Sequence, residues 1–290
     1  MYKTLSSGLY VHLLLRLFIA GAIVFSGSRI LADDGAIHGS MEIQYSQDSS
    51  ETRDKFIYLD AGITSKTSLR VNAGNSSSPA IAGGIDLDYW GIGVAHRWNN
   101  TFDSGLVFSS YGQGKQIKID SIEARLQWSS SNWAFSIKPQ LKQIELFITG
   151  PNRTVKANGT GAGLTLAYYG IKNWEYSLSY TAYHYTRDLS RLATLPRLIA
   201  KLSAKALTGA SALRDSSASV DITCQFPLTD IYLSYGQSKS AIDKTTSSIT
   251  STGITLYQLD PFKIGFEAGS VSSVVDTASY YGGFTLGYLW

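Results

Sequence analysis

The chain has 290 residues, of which 44% are hydrophobic and 12% aromatic, and it carries 25 basic against 22 acidic side chains with one cysteine. The lone Cys224 excludes an intrachain disulfide framework and a thiolate metal site. The formal charge of +3 resides in Lys3, Arg16 and Arg29, and no acid precedes Asp33, so a chain starting at residue 33 is neutral and does not read as a basic nucleic-acid binder.

At the N-terminus, Lys3 and Arg16 precede the apolar run Leu17-Phe18-Ile19-Ala20-Gly21-Ala22-Ile23-Val24-Phe25, and Ala32 supplies a small residue ahead of Asp33-Asp34. This is the layout of a secretory signal peptide over residues 1–32, which leaves 33–290 as one mature domain. Counted from Leu13, the run is about thirteen residues, short of the roughly 18 to 20 that a membrane helix needs. No cysteine follows the run to receive lipid. An exported chain without disulfides must be held by packing or by a closed hydrogen-bonded sheet.

Beyond residue 36 the recurring signal is alternation. In the segment Ser217 to Phe226, Ala218, Val220, Ile222, Cys224 and Phe226 alternate with Ser219, Asp221, Thr223 and Gln225. Trp174 to Ala182, Ser121 to Trp128 and Lys263 to Gly269 repeat the scheme, and Gly, Asn, Asp, Ser and Pro clusters separate such segments. Laid end to end, they predict about fourteen antiparallel strands, with twelve as the alternative count. The strands fall near 37–46, 54–63, 66–75, 83–97, 102–112, 116–129, 133–148, 157–169, 173–188, 216–226, 229–241, 246–259, 262–275 and 278–290. Short connections at Thr64-Ser65, Trp98 to Thr101, Ser130 to Asn132, Gly170 to Lys172, Pro227-Leu228 and Asp260-Pro261 gather at the end that also holds the C-terminus. The opposite end receives Ser46 to Arg53, Gly150 to Lys156 and a long insert after Asp188.

That insert, Leu189 to Arg214, breaks the alternation. It is rich in Leu and Ala, Pro196 suits a first helical turn and Gly209 a stop, and Leu195, Leu198, Ile199 and Leu202 form one face. Arg197, Lys201 and Lys205 are four apart on another face, and Arg191 and Arg214 add to a segment without an acid. The spacing predicts a helical, cationic loop.

The last residues, Gly282 to Trp290, place Phe284, Leu286, Tyr288 and Trp290 on one face of a strand, with Gly283, Thr285 and Gly287 opposite. Trp98, Trp128, Trp133, Trp174 and Trp290 all fall at strand ends beside the short connections, where a membrane interface would hold them. A terminal aromatic on an alternating strand, together with this architecture, resembles the bacterial outer-membrane β-barrel proteins, porin-like and of about fourteen strands. In that group the final strand is the assembly signal, so Phe284, Leu286, Tyr288 and Trp290 are the expected signal residues. The resemblance also implies short periplasmic turns, longer extracellular loops with 189–214 among them, and an even strand number.

In such a barrel the charged positions opposite the apolar face must line water or pair across the lumen, because charges face lipid only at high cost. The expected lumen residues are Glu42, Asp60, Arg70, Arg97, Glu123, Arg125, Lys138, Lys142, Glu175, Asp221, Lys263 and Glu267. The function read from them is passive passage of small polar solutes. A non-conducting surface barrel for adhesion or surface-component assembly is the competitor, and an outer-membrane hydrolase a distant third. His38-Gly39-Ser40 has the spacing of a barrel hydrolase site but no partner acid or Asn, and Asp86, Asp88 and Asp188 with His184 make only a partial cluster. The glycines of Gly159 to Gly163 lead into a strand and form no phosphate loop. Expected partners are outer-membrane lipid and lipopolysaccharide, the barrel-assembly machinery and small solutes. No nucleic acid, cofactor, metal or catalytic residue is expected.

Overall fold

The computed structural model describes residues 38–78, 85–113, 117–148, 153–189, 213–241, 244–259, 261–273 and 278–290. Period-two sequence becomes strand throughout them: β1 (Gly39–Asp48), β2 (Arg53–Gly62), β3 (Thr67–Ser78), β4 (Ile85–Arg97), β5 (Phe102–Gln113), β6 (Ile117–Ser129) and β7 (Trp133–Ile148) form the first half. The second half is β8 (Arg153–Ile171), β9 (Trp174–Tyr185), β10 (Arg214–Phe226), β11 (Thr229–Ser240), β12 (Thr246–Leu259), β13 (Phe262–Ser273) and β14 (Ser279–Leu289). Each strand pairs antiparallel with its chain neighbours, and β1 pairs with β14 from Ser40↔Leu289 to Asp48↔Tyr281, which closes the sheet. A closed sheet leaves no edge, so every ladder can be completed inside the barrel and the strands can cross lipid.

The closing seam is tied at its very end. Gly39 N–H donates to the Trp290 carbonyl at 3.0 Å and Trp290 N–H returns a bond to the Gly39 carbonyl at 3.1 Å. A Cβ at position 39 would run into the Trp290 indole, so the glycine admits that ring. Outside the seam, Met41, Tyr288 and Trp290 form a buried cluster against Ile43, Ile57, Leu59, Ala61 and Leu286.

The short turns at the C-terminal end are built by side chains that replace missing backbone partners. Thr64 Oγ1 accepts from the N–H groups of Lys66 and Thr67, and Asn99 Oδ1 from those of Thr101 and Phe102. Asn173, with φ of 67°, takes the left-handed turn that Asn tolerates and joins β8 to β9. β8 runs to Ile171, past the expected turn at Gly170, because the ladder slips by a bulge between Tyr168 and Ile171. At the other rim Asp48 Oδ1 collects the N–H groups of Ser50 and Thr52.

The expected helix over 189–214 and four of its cations, Arg191, Arg197, Lys201 and Lys205, fall on 190–212, outside the described residues. So does the expected signal peptide. Arg214, expected in the loop, opens β10 instead: it pairs with Ser240 ahead of a bulge that ends at Ser216. The alternation that starts cleanly at Ser217 hides this earlier, irregular pairing.

Candidate functional site in the barrel lumen

Register decides what each side chain faces, because neighbours directly opposite in a ladder share a face. One face carries Trp90, Ile92, Leu106, Phe108, Leu126, Leu141, Leu164, Leu178, Leu233 and Phe284, large apolar residues that stand exposed. In a closed sheet this is the outside. At the short-turn rim it carries a girdle of rings: Phe102 with Trp128 at 5.2 Å between centroids, Trp133 with Tyr168 at 4.4 Å, Trp174 with Tyr176 at 6.2 Å and Phe262 with Tyr288 at 5.2 Å. Such rings sit where lipid meets water.

The opposite, inward face holds all twelve charged positions singled out above, from Glu42 and Asp60 on the first two strands to Lys263 and Glu267 on β13. Five of them are paired locally: Arg70 with Asp60 at 2.6 Å, Lys263 with Glu42 at 2.6 Å across β14, and Arg125 with Asp103, outside the twelve, at 3.0 Å. Asp103 was missed in the sequence, although it stands in phase with Arg97, its ladder neighbour.

The inward charges of β4 to β7 and of β9 to β13 differ in sign. On β4 to β7 stand Arg97, Arg125, Lys138 and Lys142, with Asp103 and Glu123. Glu123 accepts from the Gln140 amide, whose oxygen accepts the Tyr183 hydroxyl at 2.6 Å, and Lys142 Nζ lies 3.8 Å above the Tyr183 ring. Gly161, opposite Tyr183, leaves that ring room to lie on the wall.

On β9 to β13 the inward charges below Arg214 at the rim are Glu175, Asp221, Asp230 and Glu267 and, among the described residues, the base Lys263, which reaches to Glu42. Hydroxyls hold three of these carboxylates. Asp221 accepts from Ser177 at 3.1 Å and also from Ser234, Asp230 from Tyr257 at 2.8 Å and Glu267 from Tyr281 at 2.9 Å. Sequence reading missed Asp230 and the inward tyrosines, because aromatic residues in alternating strands read as lipid-facing.

Among the described residues, Asp86, Asp88 and His184 of the partial cluster lie away from the lumen face. Asp86 and Asp88 face outward on β4, with Asp88 accepting from Asn75 at 3.1 Å, and His184 faces outward on β9. Among the described residues no group of three or more His, Cys, Asp or Glu side chains could hold a metal ion.

A closed antiparallel barrel of fourteen strands, apolar outside, charged inside and ringed by aromatics at its short-turn rim, is the build of a transmembrane β-barrel of the outer-membrane type, and this chain has it. No known protein family matches the chain by sequence, and neither does any curated protein. Among solved structures it is similar to a loop-deletion mutant of OmpT, an outer membrane protein of Vibrio cholerae, with 9% identity, TM-score 0.49, and coverage of 89% of this chain and 100% of that one. The NanC porin shows 8% identity and TM-score 0.48 over 84% and 98% of the two chains. OpdK of Pseudomonas aeruginosa, solved with vanillate, shows 8% and 0.46 over 89% and 98%. The likeness is one of barrel architecture alone.

Proposed function

We propose that this barrel is a non-enzymatic channel through which small polar solutes diffuse across the outer membrane. The observation that carries the reading is the inner wall, where Asp221, Asp230 and Arg125 are held by neighbours on their own wall. A fourteen-strand barrel is wider than the eight-strand kind whose interior side chains fill, so such a wall borders water. Phe284, Leu286, Tyr288 and Trp290 would serve as the signal read by the assembly machinery.

Liposome swelling tests the reading. Vesicles containing the refolded protein should swell in small sugars and amino acids, more slowly as solute size grows. Vesicles that stay rigid in all of them despite a folded barrel would contradict it.

One observation favours a second reading, a closed surface barrel used for adhesion or assembly. Towards the extracellular end the inward side chains Leu87, Tyr111, Ile119 and Ile144 are apolar and at most 5% exposed. Slow swelling that does not depend on solute size would favour it.

A further inference from the structure

The lumen wall that runs from β13 through β14 and β1 to β4 contains a cavity of about 250 Å³. It lies at the small end of the pockets that hold organic ligands, roughly 300 Å³ upward, so it has room for one ring and not for a chain of them. Its base is aromatic. Phe56 and Tyr58 stand two apart on β2, so they share the inward face, and their rings lie 6.1 Å apart and 30° from coplanar, which makes one shallow platform. Tyr89 forms an upright side: its ring is 6.1 Å from Phe56 and turned by 69°, and Asn72 Nδ2 fixes its hydroxyl at 3.2 Å. Two glycines keep this corner open. Gly74 stands opposite Phe56 in the ladder, where a Cβ would strike the ring, and Gly283 on β14 lines the cavity without bringing a side chain to it.

The polar groups that complete the lining are uncharged and can both donate and accept. Gln44 on β1 and Thr285 on β14 are ladder partners on the inward face, and Tyr58 adds a hydroxyl to its ring. Among the described residues, none of these three side chains is engaged in a hydrogen bond. Asp54 and Glu267, also in the lining, are engaged by Ser46 at 3.3 Å and by Tyr281 at 2.9 Å. A ligand that suits both the platform and these groups needs an apolar face and an edge of hydroxyls. A pyranose has that build, because its axial C–H bonds make a flat apolar face and its equatorial hydroxyls radiate from the rim. The C–H bonds lie well on the negative face of an aromatic ring, and amide and hydroxyl groups meet the sugar hydroxyls as donors and acceptors alike.

We propose that this niche is a binding subsite for one uncharged sugar ring, taken up on the way through the lumen. The inference deepens the channel reading and rests on it for its purpose but not for its chemistry. The C–H face of the sugar lies on Phe56 and Tyr58, Tyr89 bounds it at the side, and Gln44, Thr285 and the Tyr58 hydroxyl bond its edge.

The test is saturation-transfer NMR titration of the full barrel, refolded in a sugar-free detergent, with methyl β-D-glucoside. The comparison solutes are glycerol, which has hydroxyls without a ring face, and cyclohexanol, which has a ring without the hydroxyl edge. The glucoside should bind about tenfold more tightly than either, with saturation strongest on the axial protons of one ring face. Phe56→Leu should weaken glucoside binding about three- to fivefold, and Tyr58→Phe and the isosteric Thr285→Val about threefold each. Heat-modifiable mobility on gels shows which variants fold. Glycerol or cyclohexanol binding as tightly as the glucoside, saturation spread evenly over the sugar, or unchanged affinity in folded Phe56→Leu overturns the proposal even if the liposomes swell. Where Phe56→Leu does not fold, unchanged affinity in both Tyr58→Phe and Thr285→Val overturns it. Glucoside preference in a barrel that passes no solute upholds the niche and overturns the channel reading.

Discussion

The two walls of the lumen solve opposite problems. On β9 to β13 the carboxylates can only accept, and serine and tyrosine hydroxyls from neighbouring strands donate to them. On β6 and β7 the cations can only donate, so the wall supplies acceptors and a ring face: Asp103 for Arg125 and the Tyr183 ring for Lys142. Each wall thus holds these charges by its own means and keeps their sign. The comparison teaches that mixed charge in a barrel need not mean cancellation, since partners on the same wall leave opposite walls with opposite fields.

Reversing one wall should produce the largest effect. Arg97→Glu with Lys138→Glu removes two cations and adds two acids on the β4–β7 side, so the cation-to-anion permeability ratio should rise about tenfold at low salt. The reversal potential across a KCl gradient reads this directly, and an unchanged ratio would break the distinction between the walls. Neutralising the other wall should act in the opposite direction and more weakly. Asp221→Asn with Glu267→Gln should lower the ratio about two- to threefold, because the hydroxyl network remains. Both shifts should shrink between 0.1 M and 1 M salt as the Debye length falls from about 10 Å to about 3 Å. Shifts that do not depend on salt would place the charges away from the conducting path.

A smaller but sharper check concerns which face is which. Cysteines at 123, 125, 138 and 140 should react with a charged, membrane-impermeant thiol reagent in liposomes, and cysteines at Leu126, Ile137 and Leu164 should react several times more slowly. Equal rates would mean that the inward and outward faces have been exchanged, since a slip of one residue flips a whole strand.

Much of this architecture was legible because lipid is an unforgiving solvent. Alternation in Ser217 to Phe226 survives as the face pattern of β10, and its charged member Asp221 faces inward. Strand ends drifted by a few residues where bulges enter, as at Tyr168/Ile171 and Arg214/Ser216. The inward rings of β2 were not legible. Phe56 and Tyr58 are aromatic at inward positions, and only the register Gln44↔Phe56 and Glu42↔Tyr58 shows that they share a face with carboxylates rather than with lipid. Pairings between strands distant in sequence, such as Lys263 with Glu42, have no local signal at all, because they depend on how the barrel closes.

The central claim is that a water-filled passage runs between these two walls. Single-channel recording of the refolded wild-type protein in a planar bilayer tests it most directly. The account predicts discrete current steps whose ion selectivity changes with the wall variants. A heat-modifiable barrel that inserts and carries no current at any voltage or salt concentration would contradict it.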